Sequence, residues 1–154
     1  MDSALAIEHL ARIENLPHFM SFIDEACRHA GADQDTSYAL RLAVEEVCIN
    51  LIQHGYKDMP PGPIRVSFRR QGDHITVTIH DRARPFDPSR APEPDLASDA
   101  ESRPIGGLGW YLVKRSVDRI HYESDPARGN LLTLIRRSRP IRPPSKGESN
   151  GVVR

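Results

Sequence analysis

Residues 64–81 read IRVSFRRQGDHITVTIHD. Ile64, Val66 and Phe68 alternate with Arg65, Ser67 and Arg69, and Ile75, Val77 and Ile79 alternate with Thr76, Thr78 and His80. Alternation with period two marks strands that bury one face, and Gln71-Gly72-Asp73 between them is a turn, so the segment is a β-hairpin. Asp81 continues the phase of Ile75, Val77 and Ile79, which puts a carboxylate on the apolar face. A buried carboxylate without partners is costly and tends to mark a functional site, although a helix cap or salt-bridge partner would read the same way.

Outward from the hairpin the periodicity changes. On its N-terminal side Leu40, Val44, Val47 and Leu51 fall at i, i+4, i+7 and i+11, one stripe of a helix that starts near Asp33 or Asp35 and ends at His54-Gly55. A helix over Leu16–Ala30 precedes it, with Pro17 in its first turn and Gly31 as its stop. Residues 4–12 read as a first strand. On the C-terminal side Pro85–Pro104 lacks apolar periodicity, and a segment of that length inside a domain is a lid, a binding loop or disorder. Then come Gly106-Gly107-Leu108-Gly109, a helix to about Asp118, and strands near 119–124 and 130–137. Eleven of the thirteen prolines lie in 60–63, 85–104 and 140–144, where they break regular structure. From Arg139 onward the apolar pattern stops, and a disordered tail over 139–154 is expected. Helices and strands are thus segregated, which predicts an α+β fold: a two-layer α/β sandwich with helices on one face of a mixed, mostly antiparallel sheet.

The 154 residues suit one domain with a core of its own, here 1–138. Lys and Arg number 21, as do Asp and Glu, and zero net charge argues against nucleic-acid binding through a broad basic face. No apolar run reaches the ~20 residues of a membrane span, and no signal peptide opens the chain. Cys27 and Cys48 sit in helical stretches without a Cys-x-x-Cys pattern and read as reduced core thiols of a cytoplasmic protein.

Three features carry chemistry. Glu46, Asn50 and His54 are four apart, so a carboxylate, an amide and an imidazole stack along one helix face. A solvated stripe has the same spacing, but Val47, Cys48, Ile49, Leu51 and Ile52 crowd these residues. Asp81 is the second feature. The third is the glycine cluster opening a helix, where backbone N–H groups can meet phosphate; it lacks the Lys-Ser/Thr of a P-loop and the spacing of a dinucleotide fingerprint, and a plain hinge would look the same.

Together the three resemble the motif set of the GHKL (Bergerat-fold) ATPases. Glu46-x-x-x-Asn50-x-x-x-His54 is similar to their N box, Asp81-Arg82-Ala83-Arg84-Pro85-Phe86-Asp87-Pro88 to their first glycine box, and Gly106-Gly107-Leu108-Gly109 to their second. The versions most similar to Ala43-Val44-Glu45-Glu46, His54-Gly55-Tyr56 and Pro85-Phe86-Asp87-Pro88 belong to bacterial anti-sigma factor serine/threonine kinases. The resemblance implies ATP and Mg²⁺ as cofactors. It implies Asn50 as the Mg²⁺ ligand, Glu46 as the general base for an incoming serine, Asp81 as the acceptor for the adenine amino group, and Thr133 as its support. Gly107, Leu108 and Gly109 would lie at the phosphates with His54 nearby, and residues 87–105 would form the ATP lid. It also implies a sigma factor and an anti-anti-sigma factor (a STAS-domain protein) as partners, and a homodimer, with no membrane or direct nucleic-acid contact. A non-catalytic anti-sigma binding module of the same fold is the alternative. Ala83 departs from the pattern, which has glycine there; alanine is strained if that backbone needs positive φ.

Overall fold

The computed structural model describes residues 4–86 and 107–139. The expected lid, 87–105, and all of the expected tail except Arg139 lie outside the described residues. The chain runs through strand β1 (Leu5–Leu10), helices α1 (Leu16–His29) and α2 (Gln34–Asn50), strands β2 (Pro63–Gln71) and β3 (His74–Asp81), helix α3 (Gly107–Ser116), and strands β4 (Arg119–Asp125) and β5 (Gly129–Arg137). The sheet order is β1-β2-β3-β5-β4. Each of these pairings is antiparallel, so the described sheet is antiparallel throughout rather than mixed.

Local chemistry explains the elements. Asp33 caps α2, its side chain accepting the Thr36 N–H at 2.7 Å. Gly31, at φ 66°, lets the chain leave α1 and turn back along it. Gly72-Asp73 connects β2 and β3 as a two-residue turn with Gly72 at φ 58°, as a hairpin with glycine in its first central position requires. The expected helix to Gly55 departs from α geometry after Asn50. Leu51–Gly55 is a π-helical turn in which the Tyr56 N–H reaches the Leu51 carbonyl at 3.0 Å.

Helices cover one face of the sheet. Phe19 and Ile23 from α1, Leu40, Ala43 and Val44 from α2, and Val113 from α3 pack with Ile64, Val66, Ile75, Val77, Ile79 and Leu134. Three of the cross-strand rows on this face are Phe68–Val77–Leu134, Val66–Ile79–Leu132 and Ile64–Asp81–Asn130. The first two rows are apolar and the third places two polar residues beside Ile64. Cys27 and Cys48 are buried and free, and burial pushes their thiols up to about 11 and about 12, so neither ionises near neutral pH. No described helix is long and apolar enough to cross a membrane.

Leu40 is fully buried at the centre of α2. Leu40→Ala is expected to lower the unfolding free energy by about 2–5 kcal/mol in urea denaturation, as cavity-forming core truncations do. A loss under about 1 kcal/mol would mean that the helix layer repacks around the gap.

Candidate functional site

Asp81 ends β3 on the helix-covered face and is 6% exposed. Its Oδ1 accepts two hydrogen bonds, from Asn130 Nδ2 at 2.8 Å and from the Ala83 N–H at 2.9 Å. Asn130 Nδ2 also donates to the Ala83 carbonyl at 2.8 Å, and Ser124 Oγ donates to Asn130 Oδ1 at 2.7 Å. This chain uses one carboxylate oxygen and leaves the other, Oδ2, without a donor among the described residues. Burial raises the pKa of Asp81, and the bonds from Asn130 and Ala83 oppose the rise without cancelling it.

The partner of Asp81 is Asn130, not Thr133. Thr133 lies three residues further along β5, and an odd offset on a pleated strand points to the opposite face. There it pairs across the sheet with Thr78 and His121, while Leu132 and Leu134 take the covered side. The register is held at Gly129, which has φ 90° and where a Cβ would come 2.5 Å from the Asp81 carbonyl oxygen. Asn130 is missed by the sequence reading; the signal available for it is an amide directly after a glycine at the start of a strand.

Tyr56 joins the helix layer to this strand end. Its buried hydroxyl accepts the Arg82 N–H and donates to the Pro63 carbonyl, both at 2.7 Å. Gly62 lies against the ring so closely that a Cβ there would overlap it, and the Arg84 N–H reaches the Gly55 carbonyl at 3.3 Å. Ala83 therefore sits in a tied loop. Among the described residues Asp58 alone has positive φ without being glycine, so the strain expected at Ala83 is absent. The room that its methyl group takes is left by Gly55, where a Cβ would come 3.0 Å from Ala83 Cβ.

Glu46 and Asn50 stand one turn apart on α2, both half-buried, and neither side chain has a hydrogen bond among the described residues. Burial first, and the neighbouring Glu45 second, raise the pKa of Glu46. Its carboxylate lies against Gly109, in the first turn of α3, where a Cβ would overlap it. Gly107 and Leu108 open the same helix. His54 lies on the π turn and is exposed, so the regular α-helical stripe ends at Asn50.

The described residues hold no cluster of three His, Cys, Asp or Glu for a metal ion. Asn50 nonetheless offers an uncommitted amide oxygen, a donor suited to a hard cation that takes its other ligands from phosphates and water. The Asp81 Oδ2 can accept from an amino group, and Glu46 can take a proton. Such a set fits a nucleotide with its base against Asp81 and its phosphates between α2 and α3.

The family model described as the histidine kinase-like ATPase domain matches residues 10–136. The serine-protein kinase RsbW of Bacillus cereus (strain AH187) is 29% identical over 114 residues, covering 68% of this chain and 71% of that protein. The protein of the same name from Bacillus velezensis is 31% identical over 100 residues, covering 62% of each chain. The crystal structure of the RsbU and RsbW domains of Rv1364c from Mycobacterium tuberculosis superposes with a TM-score of 0.63 at 19% identity. That superposition covers 91% of this chain and 35% of that one, and shares the fold.

Tyr56→Phe keeps the ring and removes the hydroxyl that serves the Arg82 N–H and the Pro63 carbonyl. Leaving such groups without a partner is expected to lower stability by about 1–3 kcal/mol in chemical denaturation. Parent-like stability would show that water replaces the hydroxyl.

Proposed function

Because the chain belongs to the histidine kinase-like ATPase family, we propose that it is a serine/threonine protein kinase and anti-sigma factor. It binds ATP with Mg²⁺, sequesters a sigma factor, and phosphorylates a serine of an anti-anti-sigma protein of the STAS type. The observation that carries this reading is the pair Glu46 and Asn50, one turn apart on α2, half-buried and without a side-chain hydrogen bond among the described residues. The RsbW relatives named serine-protein kinase support it, although the matched segment spans 71% and 62% of the two proteins above.

In this reading the Oδ2 of Asp81 accepts the adenine amino group while Asn130 and the Ala83 N–H hold Oδ1 in place. Asn50 offers its amide oxygen to Mg²⁺, which when bound neutralises phosphate charge. Gly107, Leu108 and Gly109 would line the phosphate side, with His54 at its edge. The acceptor serine oxygen attacks the γ-phosphorus, its proton passes to Glu46, and the bond to the β–γ bridging oxygen breaks to release ADP. Burial suits Glu46 to this role, since a raised pKa brings a carboxylate nearer the working pH of a base. Residues 1–138 form the ATPase domain, and the protein acts in the cytoplasm as a homodimer.

Glu46→Gln keeps volume but cannot take a proton. With radiolabelled ATP and the protein that co-purifies from the source cell, phosphotransfer is expected to fall about 10²–10⁴-fold while ATP binding stays within a few-fold. Undiminished transfer would remove Glu46 from the mechanism. A parent that binds a sigma factor but labels no partner would make the chain a non-catalytic anti-sigma module.

Asp81→Asn keeps the acceptor for Asn130 and Ala83 and replaces the free oxygen with a donor. It is expected to weaken ATP by about 1–3 kcal/mol in calorimetry without unfolding the protein. Unchanged affinity would mean that Asp81 does not read the base.

A further inference from the structure

Gly109 is a glycine without a backbone reason to be one. It lies inside the first turn of α3, and the described glycines with positive φ are Gly31, Gly72 and Gly129. Inside a helix, glycine is less favourable than alanine by about 0.5–1 kcal/mol. What occupies the space of its missing side chain is specific: the three atoms nearest to a Cβ placed there are Cδ, Oε1 and Oε2 of Glu46. The two residues are 63 positions apart in the chain and belong to the two helices that face each other across the site.

Glu46 needs such a neighbour. Its side chain has three rotatable bonds, and no hydrogen bond from a described residue fixes the carboxylate. A base must stand within hydrogen-bond reach of the proton it abstracts, and a displacement of about 1 Å can cost about 10²-fold in rate. We infer that Gly109 is the positioning residue for Glu46: its bare Cα is the seat that keeps the carboxylate between α2 and α3, directed at the reacting hydroxyl. The inference rests on the kinase reading above and adds a role for Gly109 distinct from contact with phosphate.

The steric consequence is selective. The atoms that a new methyl group would strike are the far end of a flexible side chain, not backbone, so Gly109→Ala moves the carboxylate out and leaves α3 intact. The variant is stable and its base is misplaced. Glu45, next to Glu46 on α2, is the described charged group that acts on it; burial is the larger influence on its proton affinity.

The test has three measurements. The first is ¹³C NMR titration of the side-chain carboxyl of Glu46 in the nucleotide-free protein, with the signal assigned by its absence in Glu46→Gln. In the parent it should titrate above the ordinary glutamate range, and in Gly109→Ala it should move down toward that range as the group enters water. The second is thermal melting, in which Gly109→Ala should unfold no lower than the parent. The third is phosphotransfer from radiolabelled ATP to the partner labelled in the preceding experiment. Gly109→Ala should lower kcat about 10-fold or more. In the Glu46→Gln background it should change kcat less than about twofold, because residues acting through one group are not additive. An unshifted titration, a lowered melting point, or effects of the two substitutions that multiply would each overturn the inference. A parent that transfers no phosphate would overturn the kinase reading instead, and the titration would still decide whether Gly109 seats Glu46.

Discussion

The two-residue turn at Gly72-Asp73 sets the phase on which the rest of the site depends. Its positive φ, available to glycine without strain, lets β2 and β3 reverse with Gln71 opposite His74. From that register the pleat carries Val77 and Ile79 to the helix layer and brings Asp81 opposite Ile64. A slip of one residue would turn the whole strand over and put Asp81 on the open face. Gly129 does the equivalent work from the other side, because a larger residue there could not approach the Asp81 carbonyl closely enough to bring in Asn130.

How far the sequence discloses this arrangement depends on whether a feature is periodic or relational. The hairpin, the stripe on α2, the order of elements and the inward phase of Asp81 follow from alternation within single segments, so they are legible. The π turn at Leu51–Gly55 is not, since its residues fit an α-helix equally well; the wider turn is compatible with Tyr56 bonding to both Arg82 and Pro63. The family resemblance implies Thr133 as the support for Asp81, but which β5 residue meets Asp81 is a question of register between strands, and a single strand does not contain it. The same holds for Ala83. Its departure from the glycine pattern suggested strain, and only the pairing with Gly55 shows how the methyl group fits. Glu46 against Gly109 is relational too, joining helices far apart in the chain.

The covered face of the sheet changes character along its length. Two rows, Phe68–Val77–Leu134 and Val66–Ile79–Leu132, are apolar, and burying each such side chain contributes about 1.5–3 kcal/mol. The next row replaces two of three apolar residues with Asp81 and Asn130, which give up that contribution and must satisfy one another. A polar row of this kind is tolerated where neighbouring rows over-determine the fold, which is the usual setting of a binding site. The hydrogen bonds from Ser124 to Asn130 and from Asn130 to Asp81 and Ala83 make it one connected network, in which Asp81 Oδ2 has no donor among the described residues.

That Asp81 is bonded by an amide, and not by a cation, makes the proton a competitor for the site. Burial raises its pKa and no positive side chain among the described residues is hydrogen-bonded to it, so the folded chain holds this proton to a higher pH than the unfolded chain does. A raised carboxyl pKa contributes stability below the ordinary carboxylate range and loses it as the pH climbs through the folded value. At this residue the folded chain without ligand is therefore favoured by acid, whereas a ligand that donates an amino hydrogen is bonded more strongly by the ionised form. If the base of a nucleotide sits against Asp81 as proposed, proton and ligand would compete for one oxygen, and by thermodynamic linkage each would weaken the other's hold. In the proposed nucleotide reading, affinity would then rise as the pH passes through the folded value of Asp81, without any movement of the fold.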